Sequence, residues 1–522
     1  MGTRDFFARL ALPLWAGERP DSPATPAALR LRTTITRLVP GNPEQARAMY
    51  RGDFSLGGEA LAVAPADLFA QTLSPAASAA LHGLAWLRDF AAAPRSLTNV
   101  MARRLLAAWA ETPARPADAM VAATALLNLC LDGPVLFDGA PLGGTPSLAR
   151  LVSQQASRVL GQRRNDPGLQ LWQGVALCHA LTIFHGLDHL REPAESRLAR
   201  GLAGLLLPDG GPASRQPGHL LELLALLLPL RQAMFSARLP VPDALHHALE
   251  RMVPMLRLLR HGDGGLALFH GASPAGDDVA RLLALDATEG RPMALALHSG
   301  FARVAQGQAL LMADTSLGGP HHSTLAIEFS DGAQRILANC GSPLWGNADW
   351  RAAASRSHAH NGLSHDGPAV AAATPTLETA AAGSMLIMAA RFGDGLAQTR
   401  ECFLAANGQD LRVCDTLSGR DAPVTLRLHL HPTVKVTSFR QGETLLLMLP
   451  NRAVWEFEAR GAETRLEDSI SMAESKGPRR SQQIVLTAPA RVAGHAIHWA
   501  LRKRLKPAKI KPAAEPVLPG TL

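Results

Sequence analysis

The feature that most restricts the fold is a single change of hydrophobic period near residue 260. Upstream, from about Ser74 to Arg260, apolar residues recur every three or four positions in the stretches 79–90, 100–109, 119–131, 148–160, 169–190, 196–207, 219–235 and 243–259. That spacing lines one helical face. Proline and glycine punctuate the joints, at Pro94, Pro113, Pro116, Gly133-Pro134, Pro167-Gly168, Pro193, Pro240 and Pro242, where they interrupt backbone hydrogen bonding. Helices of similar length with short connectors predict an α/α toroid or a bundle of helical hairpins. From Pro292 to about Trp499 short β-type runs replace them, at 309–313, 324–329, 335–339, 385–390, 398–404, 411–416, 424–430, 443–449, 454–459 and 482–486. These predict an all-β sandwich. The chain thus divides into a mixed segment 1–72, a helical domain 73–262, a Gly-rich linker 263–291, a sandwich 292–500 and a basic, disordered tail 501–522.

At 522 residues the chain exceeds one ordinary core, in keeping with that division. With 47% apolar and 18% charged residues it is globular. The greasiest run, 220–230, contains Glu222 and Pro229, so a buried helix is expected and no transmembrane segment. The amino terminus offers Arg4 and Arg9 before a short apolar stretch, but Asp5 and Pro13 break the pattern of a cleavable signal. Of the net charge of +8, residues 501–522 supply +5 through six basic residues against Glu515. The remainder is nearly balanced, which argues against a nucleic-acid partner. The five cysteines, Cys130, Cys178, Cys340, Cys402 and Cys414, form no Cys-x-x-Cys pair. Their odd number argues against a disulfide scaffold, and Cys130 and Cys178 fall in apolar helical patterns as core residues.

Chemistry-bearing residues concentrate between 321 and 367, where His321, His322, Asn339, His358, His360, Asn361 and His365 punctuate β-type sequence. Imidazoles gathered by neighbouring strands bind metals or move protons. Adjacent strand residues face opposite sides, so His321 and His322 share a cleft only across a bulge. His185 and His189 are one helical turn apart but lack the glutamate of a zinc helix, and a pair at a helix end facing a polar loop is the better reading. Trp86, Trp109 and Trp172 lie on apolar helical faces, whereas Trp345 and Trp350 sit in a Gly/Pro/Asn loop and are candidates to stack on sugar rings. Arg215 follows a Gly-rich loop and opens a helix. There it either holds a substrate carboxylate or serves as a cap or salt bridge.

The 321–367 stretch resembles the sandwich domain of heparinase II/III-type polysaccharide lyases, whose elements His-x-His-x-Asp-x-Leu-Ser-Phe-Glu, Asp-x-Gly and His-Asn-Thr-Val-x-x-Asp-Gly fall on it in order. Leu207 through Pro217 resembles the family's Leu-Pro-Asp-Gly-Gly-His-x-Ser-Arg-Asn-Pro, and Leu428-His429-Leu430-His431-Pro432 its late sandwich motif. The resemblance implies an N-terminal (α/α) toroid followed by a C-terminal antiparallel β-sandwich. It implies action on acidic, uronic-acid glycans by β-elimination in the cleft between them, and a cell-envelope or periplasmic setting, with the cytoplasm as the alternative. Site residues implied on the sandwich side are His321 and His322 for proton transfer, with Arg215, Trp345, Trp350 and Asn361 binding substrate. The family's sandwich zinc would fall on His321 and His360, with Asn339 in place of the acidic ligand. Since asparagine is neutral and weakly basic, an empty hydrogen-bonded cluster competes with a metal there. The chain also departs from the pattern. Its one tyrosine, Tyr50, precedes the helical array, Pro212 and Gln216 replace the loop's histidine and asparagine, and Gly319 and Ser323 stand at the first His and the Asp of His-x-His-x-Asp. A catalytically degenerate glycan-binding or envelope polysaccharide-processing protein on the same scaffold is therefore the second reading.

Overall fold

A computed structural model describes residues 29–93, 97–112, 118–138, 147–162, 165–286, 290–343, 348–439, 444–473 and 477–504. Helices begin where the sequence supplies caps. Asp118 accepts from the amides of Met120 and Val121 to open Ala119–Phe137, and Asp166 accepts from Leu169 ahead of Pro167–Ile183, whose first residue is proline. Each satisfies donors that a helix start leaves orphaned. Pro167–Ile183 packs against Arg191–Leu205 at very short range. A Cβ at Gly174 would lie 2.4 Å from the Leu198 amide nitrogen, and one at Gly201 as close to the Leu171 backbone. Only glycine allows that approach.

The helical core also absorbs the segment assigned to a separate mixed region. Helix Pro43–Arg51 and the hairpin Asp53–Leu56/Glu59–Ala62 bury Ala46, Met49, Phe54 and Leu56 in the same apolar cluster as the long helices. Tyr50 points out from that helix, 42% exposed. Helices Ala119–Phe137 and Pro217–Ser236 are long and apolar enough, by length and composition, to cross a membrane; here 67% and 44% of their apolar windows are buried in the protein.

The β-region holds three antiparallel sheets. One runs through Leu295–Ala296, Phe301–Gln306, Ala309–Asp314, Ile327–Asp331 and Gln334–Leu337. A nine-stranded sheet and a four-stranded sheet complete it. Alternation is strict in strands such as Ala397–Ala405, where every second residue is buried, as a sheet with one face on the core requires. The helical array followed by antiparallel sheets is the architecture expected.

Two boundaries differ from expectation. The stretch assigned as a linker is built into the structure: Leu266, Ala267, Phe269 and His270 are at most 1% exposed, and Gly276–Ala284 is a helix that buries Val279 and Leu282 in the helical core. Glycine and proline there mark tight turns, which a sequence pattern does not separate from a tether. The last strand, His495–Arg504, runs between Asp410–Ser418 and Val454–Arg460, so Arg502, Lys503 and Arg504 belong to the sheet and not to a tail. Arg504 lies 3.0 Å from Glu456 and Lys503 2.6 Å from Asp331. Residues 505–522 lie outside the described residues. All five cysteines are unpaired, and Cys130 and Cys178 are fully buried.

Candidate functional site

Strand Ala309–Asp314 ends on a buried carboxylate, and the chain then leaves regular structure until Ile327. Asp314 and Leu325–Ala326 close the neck of this loop, Asp314 N donating to Ala326 O at 2.9 Å and Leu325 N to Asp314 O at 2.8 Å. Leu325 itself is in the left-handed region at φ 59°. His321 and His322 therefore sit in a loop, not on a strand, and the strand argument about their facing does not apply. His321 turns inward and His322 is exposed, its amide bonded to Ser355 O at 2.8 Å. Both border a recess of about 110 Å³ with His365.

His360 follows the single turn Ser357–Ala359, and its ring lies 5.4 Å from that of His321. Neither nitrogen of His360 has a partner, nor does Nδ1 of His321. Burial drives the His321 imidazole down to about 4, and burial followed by the neighbouring imidazoles holds His360 well below its ordinary value. Both are neutral bases near pH 7. Asn339 is close by but occupied: its Oδ1 accepts from the Asn361 amide at 2.8 Å, and its Nδ2 donates to Glu328 at 3.1 Å. Two imidazoles are two ligands short of a tetrahedral zinc site. Among the described residues no group of three or more His, Cys, Asp or Glu is placed to hold a metal. The donor set does not fit zinc.

The best-held imidazole in this region is one the sequence reading passed over. His270, 1% exposed with φ 48°, sets Nε2 2.9 Å from Asp314 Oδ2 and 3.2 Å from Ser316 Oγ. Ser323 donates to the same carboxylate at 2.5 Å, and the Ser316 amide donates to Asp314 Oδ1 at 2.9 Å. Burial works against a charge on Asp314, yet His270, Ser316 and Ser323 together hold its carboxyl below the usual range. The His270 ring fills the space in front of Gly319, where a Cβ would fall 2.0 Å from His270 Cε1. The missing side chain at 319 and the imidazole at 270 are complementary, a relation between positions too distant in sequence to be read as a motif.

On the helical side, Arg215 adopts φ 56°, its amide bonded to Pro212 O. Left-handed backbone at a non-glycine residue costs energy and clusters at functional sites. With Leu297, His298, Gly300, Thr315 and Ser316 it lines a pocket of about 330 Å³ between helical and β regions. Arg215 Nε is buried without a partner, so among the described groups no salt bridge or cap occupies it. Asp209 pins the same junction, accepting from the amides of His298 and Ser299 at 2.8 and 2.7 Å.

Other candidates move away from a binding role. Asn361 is fully buried and its amide is spent, Nδ2 on Ile327 O at 2.9 Å and Oδ1 on the His429 amide at 2.5 Å. It organises the strand junction and has nothing left for a sugar. Trp350, on helix Ala348–Ser355, packs against Cys340, Ala354, Ala359 and Met472 in a small satellite core and is no exposed platform. Trp345 lies outside the described residues. His185 is not on a helix with His189, because the chain leaves its helix at Ile183 and Phe184–His185 pairs with Arg30–Leu31. Arg400 is a functional support that sequence reasoning missed. Fully buried against Asp415 at 2.6 Å, it donates to Leu325 O at 2.8 Å and Asn361 O at 3.1 Å, clamping the loop segments just ahead of Ile327–Asp331 and Gly362–Leu363.

A helical array, an antiparallel β-region and a polar pocket at their junction define a polysaccharide-lyase type of scaffold. Residues 288–500 match the family Heparinase II/III-like, C-terminal, and the chain has a heparinase II/III-like fold. Heparan sulfate lyase from Pedobacter heparinus superposes with a TM-score of 0.68 at 13% identity, covering 93% of this chain and 85% of that one. A heparinase III gene product gives 0.71 at 12% identity, covering 92% and 88%. At these identities the likeness establishes the fold alone. In sequence, the chain is 28% identical over 373 residues to FtsZ-localized protein C of Caulobacter vibrioides (strain NA1000 / CB15N), covering 60% of this chain and 62% of that relative.

Proposed function

We propose that the protein seats an acidic, uronate-bearing polysaccharide against Arg215 and cleaves it by β-elimination. The observation that carries this reading is the Arg215 guanidinium, with its Nε buried and unpartnered, lining a pocket with Thr315 and Ser316 at the domain junction. A half-buried guanidinium beside hydroxyl groups, with its Nε unpartnered, recognises a carboxylate. Neutralising that carboxylate acidifies the C5 proton of the sugar. His321, neutral and bordering the recess it shares with His322, takes the proton. The C–H electron pair becomes the C4–C5 double bond as the C4–oxygen bond breaks, and the exposed His322 returns a proton to the leaving oxygen. The product carries an unsaturated uronate end. Incubation with a panel of uronic-acid polysaccharides should therefore raise absorbance at about 232 nm, the signal of that enone-like end. A flat trace across the panel with tight binding retained would replace cleavage by the second reading.

That second reading, a glycan-binding or envelope polysaccharide-processing protein without lyase turnover, is favoured by Tyr50 being exposed on the first described helix and by Pro212 and Gln216 in the 208–217 loop. The likeness to a protein named for localisation with FtsZ supports placing such a role where FtsZ lies.

A further inference from the structure

We propose that Ser316 is a substrate-binding hydroxyl of the Arg215 pocket and that His270, paired with Asp314, is the positioning residue that aims it. The inference rests on the acidic-glycan reading above and adds two residues to it. Asp314 is an ionised acceptor on every side: it takes the Ser323 hydroxyl at 2.5 Å, the Ser316 amide at 2.9 Å and His270 Nε2 at 2.9 Å. A carboxylate at that distance requires Nε2 to carry a proton. Ser316 Oγ, 3.2 Å from the same nitrogen, then faces an N–H and can only accept from it. Its own proton is left to point elsewhere, and the open direction is the pocket that Ser316 lines with Arg215. The backbone of residue 316 is fixed as well, through its amide on Asp314.

Gly319 keeps room for the arrangement, since a Cβ there would strike the His270 ring. The left-handed backbone at His270 and the near-complete burial of both partners show a device held by its surroundings, not a surface ion pair. Arg215 and Ser316 together present a cation and a directed hydroxyl, a donor set suited to the two oxygens of a uronate carboxylate.

The test measures affinity of the full-length protein and its variants for a uronate polysaccharide and for the same polymer with its carboxyl groups reduced, by titration calorimetry. Ser316→Ala leaves the His270–Asp314 pair in place, and His270→Asn keeps a side chain that tolerates left-handed backbone; thermal melting checks the fold of each. Both should weaken acidic-glycan binding by about tenfold or more, the size of a lost bond to a charged group, with little change on the reduced polymer. The double variant should be no weaker than Ser316→Ala alone, because both act through one hydroxyl. If Arg215→Ala abolishes acidic-glycan binding while Ser316→Ala leaves it intact, the relay is overturned and the pocket reading stands. If the two losses add in full, His270 acts by another route and the positioning claim is wrong. If Arg215→Ala is silent, or no acidic glycan binds the wild type, the acidic-glycan reading itself fails and takes this inference with it.

Discussion

Replacing Arg400 with methionine should destabilise the β-region more than any surface change. Arg400 and Asp415 are both fully buried, Nε at 2.6 Å and Nη2 at 3.2 Å from the carboxylate. Removing one member of a buried pair leaves an uncompensated charge, at about 3–5 kcal/mol. The Leu325 and Asn361 carbonyls also lose their donor, at roughly 1 kcal/mol each. Gln398 and Trp499 still donate to Asp415, at 2.8 and 3.1 Å, and soften the first cost. The net expectation is about 4–5 kcal/mol, a large share of a typical domain's stability. In a domain of some 200 residues that lowers the melting temperature by roughly 10–15 °C. Calorimetry and urea titration of wild type, Arg400→Met and Arg400→Met/Asp415→Leu would measure it. The double variant removes the stranded charge and should recover about half the loss, the carbonyls remaining bare. A single-variant cost below about 1 kcal/mol would refute the picture of Arg400 as the clamp on both site segments.

Zinc bound to purified protein, read by elemental analysis after dialysis, should fall well below one per chain because, among the described residues, the cluster offers His321 and His360 and no third donor; stoichiometric retention would overturn that two-ligand reading. His322→Ala should lower the β-elimination rate by about 10²–10⁴-fold, the usual contribution of an acid–base group, and an unchanged rate would make the exposed imidazole irrelevant to proton transfer. Stability should decline as pH falls below the ordinary histidine range. Burial lowers His179 and His429 to about 4, so their stabilisation is full above the unfolded value of 6.5 and is lost as the unfolded chain takes up protons first. Each contributes about 1 kcal/mol of loss by roughly pH 5.5, and urea midpoints that do not move between pH 7.5 and that point would contradict their neutral burial.

Periodicity carried the architecture because it reports burial directly. The helical stretch 219–235 is Pro217–Ser236, and the run 411–416 lies inside strand Asp410–Ser418. The strands Phe301–Gln306, Glu463–Ser471 and His495–Arg504 went unread. Their arginines and glutamates mask alternation, since a charged residue on a sheet's outer face looks like a loop in one dimension. Proximity of His321 and His360 was legible because both lie in one motif-bearing stretch. His270 and Arg400 were not, because their meaning resides in partners far along the chain, Asp314 and Asp415 among them. Asn361 was misjudged for the converse reason: its type suggested contact with a sugar, and only the three-dimensional count of its bonds shows it spent.

The segment from His261 to His270 gives the chain an order of assembly. His261 Nε2 meets the buried Glu328 at 2.8 Å, the Leu268 amide reaches the same carboxylate at 3.2 Å, and Arg335 closes on Asp263 at 2.7 Å. A ribosome delivers these residues some sixty positions before the strand that receives them, so the helical half emerges with its end unpaired and waits for Ile327–Asp331 to be made. The reverse also holds. A fragment starting at residue 288 would fold its sheet around a carboxylate whose imidazole and amide donors lie on the missing half. The boundary drawn by sequence similarity thus passes through a shared buried network, with the donors of His261 and Leu268 on one side and their acceptor, Glu328, on the other.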